Sequence, residues 1–111
     1  LIKNLKFIFS EDSVLDFGCG GGYLLEALDA KVKIGIEVNP NAVEDARKKG
    51  IVLFENLAPV DDNSIDKVIS NHALEHVYNP VYELTEMFRV LKPGGILLLC
   101  VPIDEYKNQI D

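Results

Sequence analysis

There is no tryptophan in these 111 residues, and only two cysteines, two histidines and one methionine. Cys19 and Cys100 stand far apart, in no Cys-x-x-Cys arrangement. So few ligating residues at such spacing make neither a structural zinc site nor a disulfide framework. No metal is expected, and a soluble, reducing, cytoplasmic setting is the default. No apolar run approaches the roughly 20 residues needed to cross a bilayer. Residues 1–9 are apolar, but Ser10-Glu11-Asp12 follows where a secretory leader would need small residues for cleavage, so a short packing helix is expected there. Cations are scarce as well: 11 Lys and Arg against 18 Asp and Glu give a net charge of −7. Gripping a nucleic-acid backbone takes clustered Lys and Arg. The one dense run, Arg47-Lys48-Lys49, has a plainer reading as the solvated end of a helix. Neither nucleic acid nor membrane is therefore expected as a partner.

What the chain does have is 48% hydrophobic residues, enough for one core, and regular punctuation. One domain spanning 1–111 is expected. Residues 13–17 read as a short strand that runs into the glycines at 18–22, and 23–30 as a helix with Leu24, Ala27 and Leu28 at helical spacing. Val32, Ile34, Ile36 and Val38 alternate with Lys33, Gly35 and Glu37, the period of a strand. Asn39-Pro40 then supplies a cap and a first-turn proline for a helix that Gly50 ends. Its Glu44–Lys48 and Asp45–Lys49 spacings predict two ion pairs four residues apart. A third strand at 51–55, a loop without a full helix, and a fourth strand at 65–70 follow. A second cap, Asn79-Pro80, opens a helix whose Val81, Leu84, Phe88 and Leu91 share one face. Lys92-Pro93-Gly94-Gly95 stops it, and 96–101 is an apolar run of the kind found in a fully buried strand. Strands alternating with helices argue for a mainly parallel sheet covered on both faces, with ligands at the carboxyl ends of the strands.

Two constellations sit at such ends. The first is Asp16-Phe17-Gly18-Cys19-Gly20-Gly21-Gly22. A dinucleotide fingerprint, G-x-G-x-x-G, would need glycine at 23 or, in the slid register, at 25. Tyr23 and Leu25 stand there instead. What fits is G-x-G-x-G at Gly18, Gly20 and Gly22, in which the backbone can approach a ligand closely. Asp16 lies two residues before the first glycine. An acid there suits a cationic group such as an ammonium and would be unwelcome beside a pyrophosphate; the alternative is that Asp16 only braces the turn. The second constellation is Glu37, 19 residues after Gly18 at the end of the second strand, where a carboxylate can accept from the hydroxyls of a ribose.

At this point the sequence resembles a known family. Val14-Leu15-Asp16-Phe17-Gly18-Cys19-Gly20-Gly21-Gly22 is similar to the first motif of the class I S-adenosylmethionine-dependent methyltransferases. Ile34-Gly35-Ile36-Glu37-Val38 resembles their second strand, and Asp62-Asn63-Ser64-Ile65-Asp66-Lys67-Val68-Ile69-Ser70 their approach to the fourth. Ala73-Leu74-Glu75-His76-Val77 and Leu91-Lys92-Pro93-Gly94-Gly95-Ile96-Leu97 resemble the segments after the fourth strand and before the fifth. The match is closest to the small-molecule branch, types 11 and 12. It implies a Rossmann-like, doubly wound α/β sheet with five strands in the order 3-2-1-4-5 and helices on both faces. It also implies S-adenosyl-L-methionine as cofactor. The backbone at Gly18, Cys19 and Gly20 would face the methionine part, with Asp16 at its ammonium. Glu37 would hold the ribose and Val38 pack on the adenine, whose edge would meet Asn56 and Leu57. Asn71 and His72 would line the pocket near the methyl donor. His76 is the candidate general base, although a role in capping or packing the turn before Asn79-Pro80 is the preferred reading.

The family adds two further strands after the fifth, and this chain ends at Asp111. The apolar strand at 96–101 would then form an open edge, a hazard unless something covers it. Self-association through that edge, or a fragment of a longer protein, is the expectation. The leading function is methyl transfer to a small-molecule acceptor. The alternative is a non-catalytic cofactor-binding or assembly module that needs a partner or a missing C-terminal region. A nicotinamide-dependent oxidoreductase ranks low on the glycine spacing.

Overall fold

A computed structural model describes residues 5–101 of the chain. Five strands form one sheet in the order β3-β2-β1-β4-β5, all parallel: β1 (Ser13–Phe17), β2 (Val32–Ile36), β3 (Val52–Phe54), β4 (Ile65–Asn71) and β5 (Leu91–Cys100). Three helices connect them: α1 (Tyr23–Ala27), α2 (Pro40–Arg47) and α3 (Pro80–Val90). The fold class and strand order expected from the resemblance are therefore found. The helix expected over 1–9 is a single 3-10 turn at Leu5–Phe7, with residues 1–4 outside the described part.

Both faces of the sheet are apolar, and the pleat sorts them. Leu15, Phe17, Ile36 and Val68 join Met87 and Val90 of α3 in one cluster. Val14 and Ile69, one residue out of step, join Leu25 of α1, Ala46 of α2 and Ile51 in the other. Successive strand residues point to opposite faces, so a strand buried on both reads as a continuous apolar run. Gly35 of β2 is needed on the second face: a Cβ there would lie 2.5 Å from the Cys19 Sγ.

The two Asn-Pro signals act as expected. The Asn39 side chain accepts from Asn41 and Ala42 N–H, and the Asn79 side chain from Tyr82 N–H. Such caps contribute about 1 kcal/mol each. Three expectations need correction. The Glu44–Lys48 and Asp45–Lys49 ion pairs do not form. Helix α2 ends at Arg47, so both lysines lie beyond its last helical residue; Lys49 Nζ instead donates to the Asp45 backbone carbonyl and sits 4.1 Å from the Tyr23 ring centre. Of the stripe expected on α3, Leu84 and Leu91 pack on the core, but Val81 and Phe88 are exposed and Met87 and Val90 are buried in their place. The helix carries more apolar residues than one face holds, and packing on the sheet chooses among them.

The fifth strand is the third correction. It begins at Leu91, opposite Ile65, and resumes with Ile96 opposite Lys67, so Lys92-Pro93-Gly94-Gly95 bulges out of the ladder. Pro93 has no N–H to donate and Gly94 takes φ +81°, which together turn the chain outward. Among the described residues β5 pairs with β4 alone, and Ile96 and Leu99 are exposed rather than fully buried.

No helix joins β3 to β4. Arg89 of α3 ties that loop down instead, donating from Nη2 to the Leu57 carbonyl (2.9 Å) and from Nη1 to the Val60 carbonyl (2.8 Å) and Asp62 Oδ1 (2.6 Å). No helix among the described residues is long and apolar enough to cross a membrane.

Candidate functional site

Above the carboxyl ends of the strands lies an open cleft of about 500 Å³. The chain turns there because Gly18, Gly20 and Gly22 all take positive φ (+78°, +56° and +84°), the region that favours glycine. Gly18 also passes so close to Ala73 that a Cβ would meet its methyl at 2.7 Å, whereas a Cβ at Gly20 would meet nothing within 4 Å. The turn is packed on one side and open on the other.

Glu37 closes the arrangement from β2. Its Oε1 accepts from Gly20 N–H (2.8 Å), and its Oε2 from Val38 and Asn39 N–H (3.1 Å each). Of about four acceptor positions on a carboxylate, three are engaged and hold the group in place beside the glycine turn. Asp16 is the opposite case. It lies one residue before the end of β1, is 4% exposed, and accepts no hydrogen bond from any described residue. Burial, with Glu37 nearby, pushes its carboxyl up to about 7. The Cys19 thiol is buried as well and is pushed up to about 12 by burial, then by Asp16 and Glu37; it is a packing group in the turn.

Of the residues singled out in the sequence, Gly18, Glu37, Val38, Asn56, His72 and His76 line the cleft together. Asp16, Cys19 and Gly20 lie in the strand end and turn behind it. Asn71 ends β4, and its buried Oδ1 has no hydrogen-bond partner among the described residues. Leu57 does not line the cleft: it is 2% exposed and belongs to the core, because the Arg89 anchors turn the loop inward. The Asn56 side chain accepts from Ala58 N–H and braces the same loop.

Around β4 the chain continues into a 3-10 turn at Leu74–His76. His72, with φ +54°, is a non-glycine residue in the left-handed region, a position held only where the surroundings determine it. Its Nδ1 is 3.8 Å from Glu75 Oε2, and His76 Nε2 is 3.9 Å from the same oxygen. Helix α3 is capped by the Asn79 side chain, and the His76 side chain is left largely exposed at the cleft. His72 Nε2 lies 3.4 Å from the Cys100 thiol. No cluster among the described residues has the arrangement of a metal site.

Sequence reasoning missed Phe17, Ile36, Glu55, Ala73, Val77, Tyr78 and Glu83, which also line the cleft. Phe17 and Ile36 are the last residues of their strands, so the strand-end rule could have found them. Glu83 carries no such signal, since it reaches the cleft only through the placement of α3. Its carboxyl is raised by burial and by Glu86.

Comparison with known proteins agrees with this geometry. The family described as "Methyltransferase domain" matches residues 15–99. The chain is 33% identical over 96 residues to a Mycolicibacterium smegmatis protein named "Probable S-adenosylmethionine-dependent methyltransferase", covering 80% of this chain and 37% of that one. It is 38% identical over 99 residues to a ubiquinone biosynthesis O-methyltransferase of Xanthomonas oryzae, covering 78% and 41%. Among solved structures, a Haloferax volcanii chain in complex with the Trm112 methyltransferase activator matches with a TM-score of 0.76 and 30% identity, over 87% of this chain and 49% of that one. The chain thus spans about half the length of these relatives or less. With the strand order, the glycine turn and these matches in agreement, the chain belongs to the class I S-adenosylmethionine-dependent methyltransferases.

Proposed function

We propose that this chain is the cofactor-binding core of a methyltransferase that acts on a small-molecule acceptor. One observation carries the reading. A buried, unpartnered carboxyl (Asp16), a glycine turn with open space at Gly20, and an anchored carboxylate (Glu37) meet at the carboxyl ends of neighbouring strands.

These residues fit the family's cofactor. Asp16 takes its ammonium, and the backbone from Gly18 through Cys19 to Gly20 approaches the methionine part. Glu37 accepts from the ribose: one acceptor position is free as the site stands, and a second opens if a backbone N–H gives way. Val38, exposed at the cleft, packs on the adenine, and Asn56 meets its edge. Asn71 and His72 lie toward the donor end. Leu57 is left out of the set because its side chain is in the core. The bound cofactor supplies an electrophilic methyl group on a sulfonium. The work of the chain is to hold and orient, since transfer to a good nucleophile depends mainly on in-line positioning. His76 is the side chain available to take a proton, and no general base is needed for the reading to hold. A small acceptor is supported by the negative net charge and by the Xanthomonas relative, whose name places it in ubiquinone biosynthesis.

The test is calorimetric titration with S-adenosylmethionine and S-adenosylhomocysteine, with NAD as control, on the wild type and Glu37→Ala. Loss of the ribose contacts is expected to weaken binding about tenfold or more, on the order of 2 kcal/mol. Tight NAD binding without S-adenosylmethionine binding, or no binding by a folded wild type, overturns the reading.

A further inference from the structure

Two carboxyl groups flank the glycine turn, and neither has an ion pair among the described residues. Glu37 is held in place by three backbone N–H groups, from Gly20, Val38 and Asn39. Asp16 receives none from the described residues and is 4% exposed. The groups packed around it are few. The Glu37 carboxylate, just past β2, raises its titration, and the Cys19 thiol of the turn is itself pushed up and stays neutral. Its register partners on either side, Ile69 of β4 and Gly35 of β2, are uncharged. No Lys, Arg or His among the described residues forms an ion pair with Asp16. Two adjacent carboxylates without a cation are not both ionised at little cost, and the proton settles on the one that lacks hydrogen-bond donors. In the empty site that is Asp16, whose carboxyl titrates at about 7.

We infer that Asp16 selects the cofactor by proton exchange: the empty site holds a proton on this carboxyl, and the ammonium of an incoming amino-acid-bearing ligand displaces it. The O–H bond of the acid breaks, the proton leaves to solvent, and the carboxylate pairs with the ammonium. Asp16 is then a specificity-determining residue as well as a contact, because it rewards a ligand that brings a positive charge to replace the proton. The inference rests on the cofactor reading above and adds to it a stoichiometry.

The direction follows from the position of the titration. Near pH 6 Asp16 is mostly protonated, so binding a cation releases close to one proton per site and is weakened. Near pH 8 the carboxyl is already ionised, and binding releases almost none. S-adenosylhomocysteine is therefore expected to bind about tenfold more weakly at pH 6 than at pH 8. The nucleoside 5′-methylthioadenosine lacks the amino-acid part and reaches only the Glu37 end. Its affinity is expected to stay level over the same range, with no proton released.

The experiment is calorimetric titration of the chain with both probes at pH 6 and pH 8, in pairs of buffers that differ in ionisation enthalpy. Release of about one proton on S-adenosylhomocysteine binding at pH 6, and none with 5′-methylthioadenosine, supports the inference. Binding of both probes with no proton exchange overturns it and leaves the cofactor reading standing. Equal proton release with both probes overturns it too, because the proton is then not at the ammonium end. Failure of both probes to bind overturns the cofactor reading and the inference with it. Asp16→Asn should abolish the pH dependence for S-adenosylhomocysteine. Should that variant not fold, the two-probe comparison on the wild type decides alone.

Discussion

The two ends of the sheet use the same residue types in opposite ways. At the amino ends of the strands every acid that is drawn inward has a partner. Asp12 Oδ2 accepts from Lys67 Nζ at 2.9 Å and from Phe9 N–H at 2.8 Å. Asp66 Oδ2 accepts from Ser13 N–H at 2.8 Å and pairs with Lys92. The Lys67 ammonium also lies 5.1 Å from the centre of the Phe9 ring. At the carboxyl ends, Asp16, Glu37, Glu55 and Glu83 stand at the cleft or just behind it, and none has an ion pair among the described residues. Buried charge that is paired holds the strands in place, whereas buried charge left unpaired stores an electrostatic cost that a cationic ligand can relieve. Of these four only Asp16 is buried, and it has no donor among the described residues, so the uncompensated cost is concentrated at the cleft end and marks that end as the working one.

The comparison can be broken first at the paired end. Lys67→Met leaves Asp12 buried without its cation and is expected to destabilise the chain by about 3–5 kcal/mol, read from urea unfolding. A smaller loss, with Asp12 still ionised, would mean that water reaches this end freely and the contrast is false. At the cleft end the opposite sign is expected. The folded-state titration of Asp16 lies above its ordinary value of 3.8, so ionisation is disfavoured by folding and stability declines as pH rises between about 4 and 7. Asp16→Asn removes that cost and should stabilise the empty chain by on the order of 3 kcal/mol at pH 8, and by little near pH 4. Thermal melts at the two values read the difference; equal melting shifts at both would show that Asp16 is not an uncompensated charge. The smallest effect belongs to Lys92→Ala. Its ion pair with Asp66 is solvent-exposed, so a change below about 1 kcal/mol is expected, vanishing in about 0.5 M salt. Asp66 itself is held below the ordinary carboxylate range mainly by Ser13 N–H, and that contribution fades only as pH falls through the lowered value.

The parts of this protein legible in the sequence are those with a local cause. Positive φ at Gly18, Gly20 and Gly22 needs glycine whatever surrounds it, and so the turn could be read directly. Asn39 and Asn79 cap the helices that begin one residue later, and the alternation at 32–38 placed Glu37 at a strand end. The site then followed from a general property of parallel sheets, that strand ends gather ligands. The sequence could not show that Glu37 would be tied to Gly20, 17 residues away, while Asp16 was left without a donor. It could not tell that Met87 and Val90 rather than Val81 and Phe88 would join Leu84 and Leu91 on the buried face of α3, because both sets have helical spacing and packing on the sheet made the choice. Nor could it tell that Arg89 would draw Leu57 into the core, 32 residues apart in the chain. Torsions and caps depend on a few neighbouring residues, so the amino-acid order determines them alone. Burial and charge pairing depend on what the strand order brings alongside, and those were decided only when the sheet closed up around them.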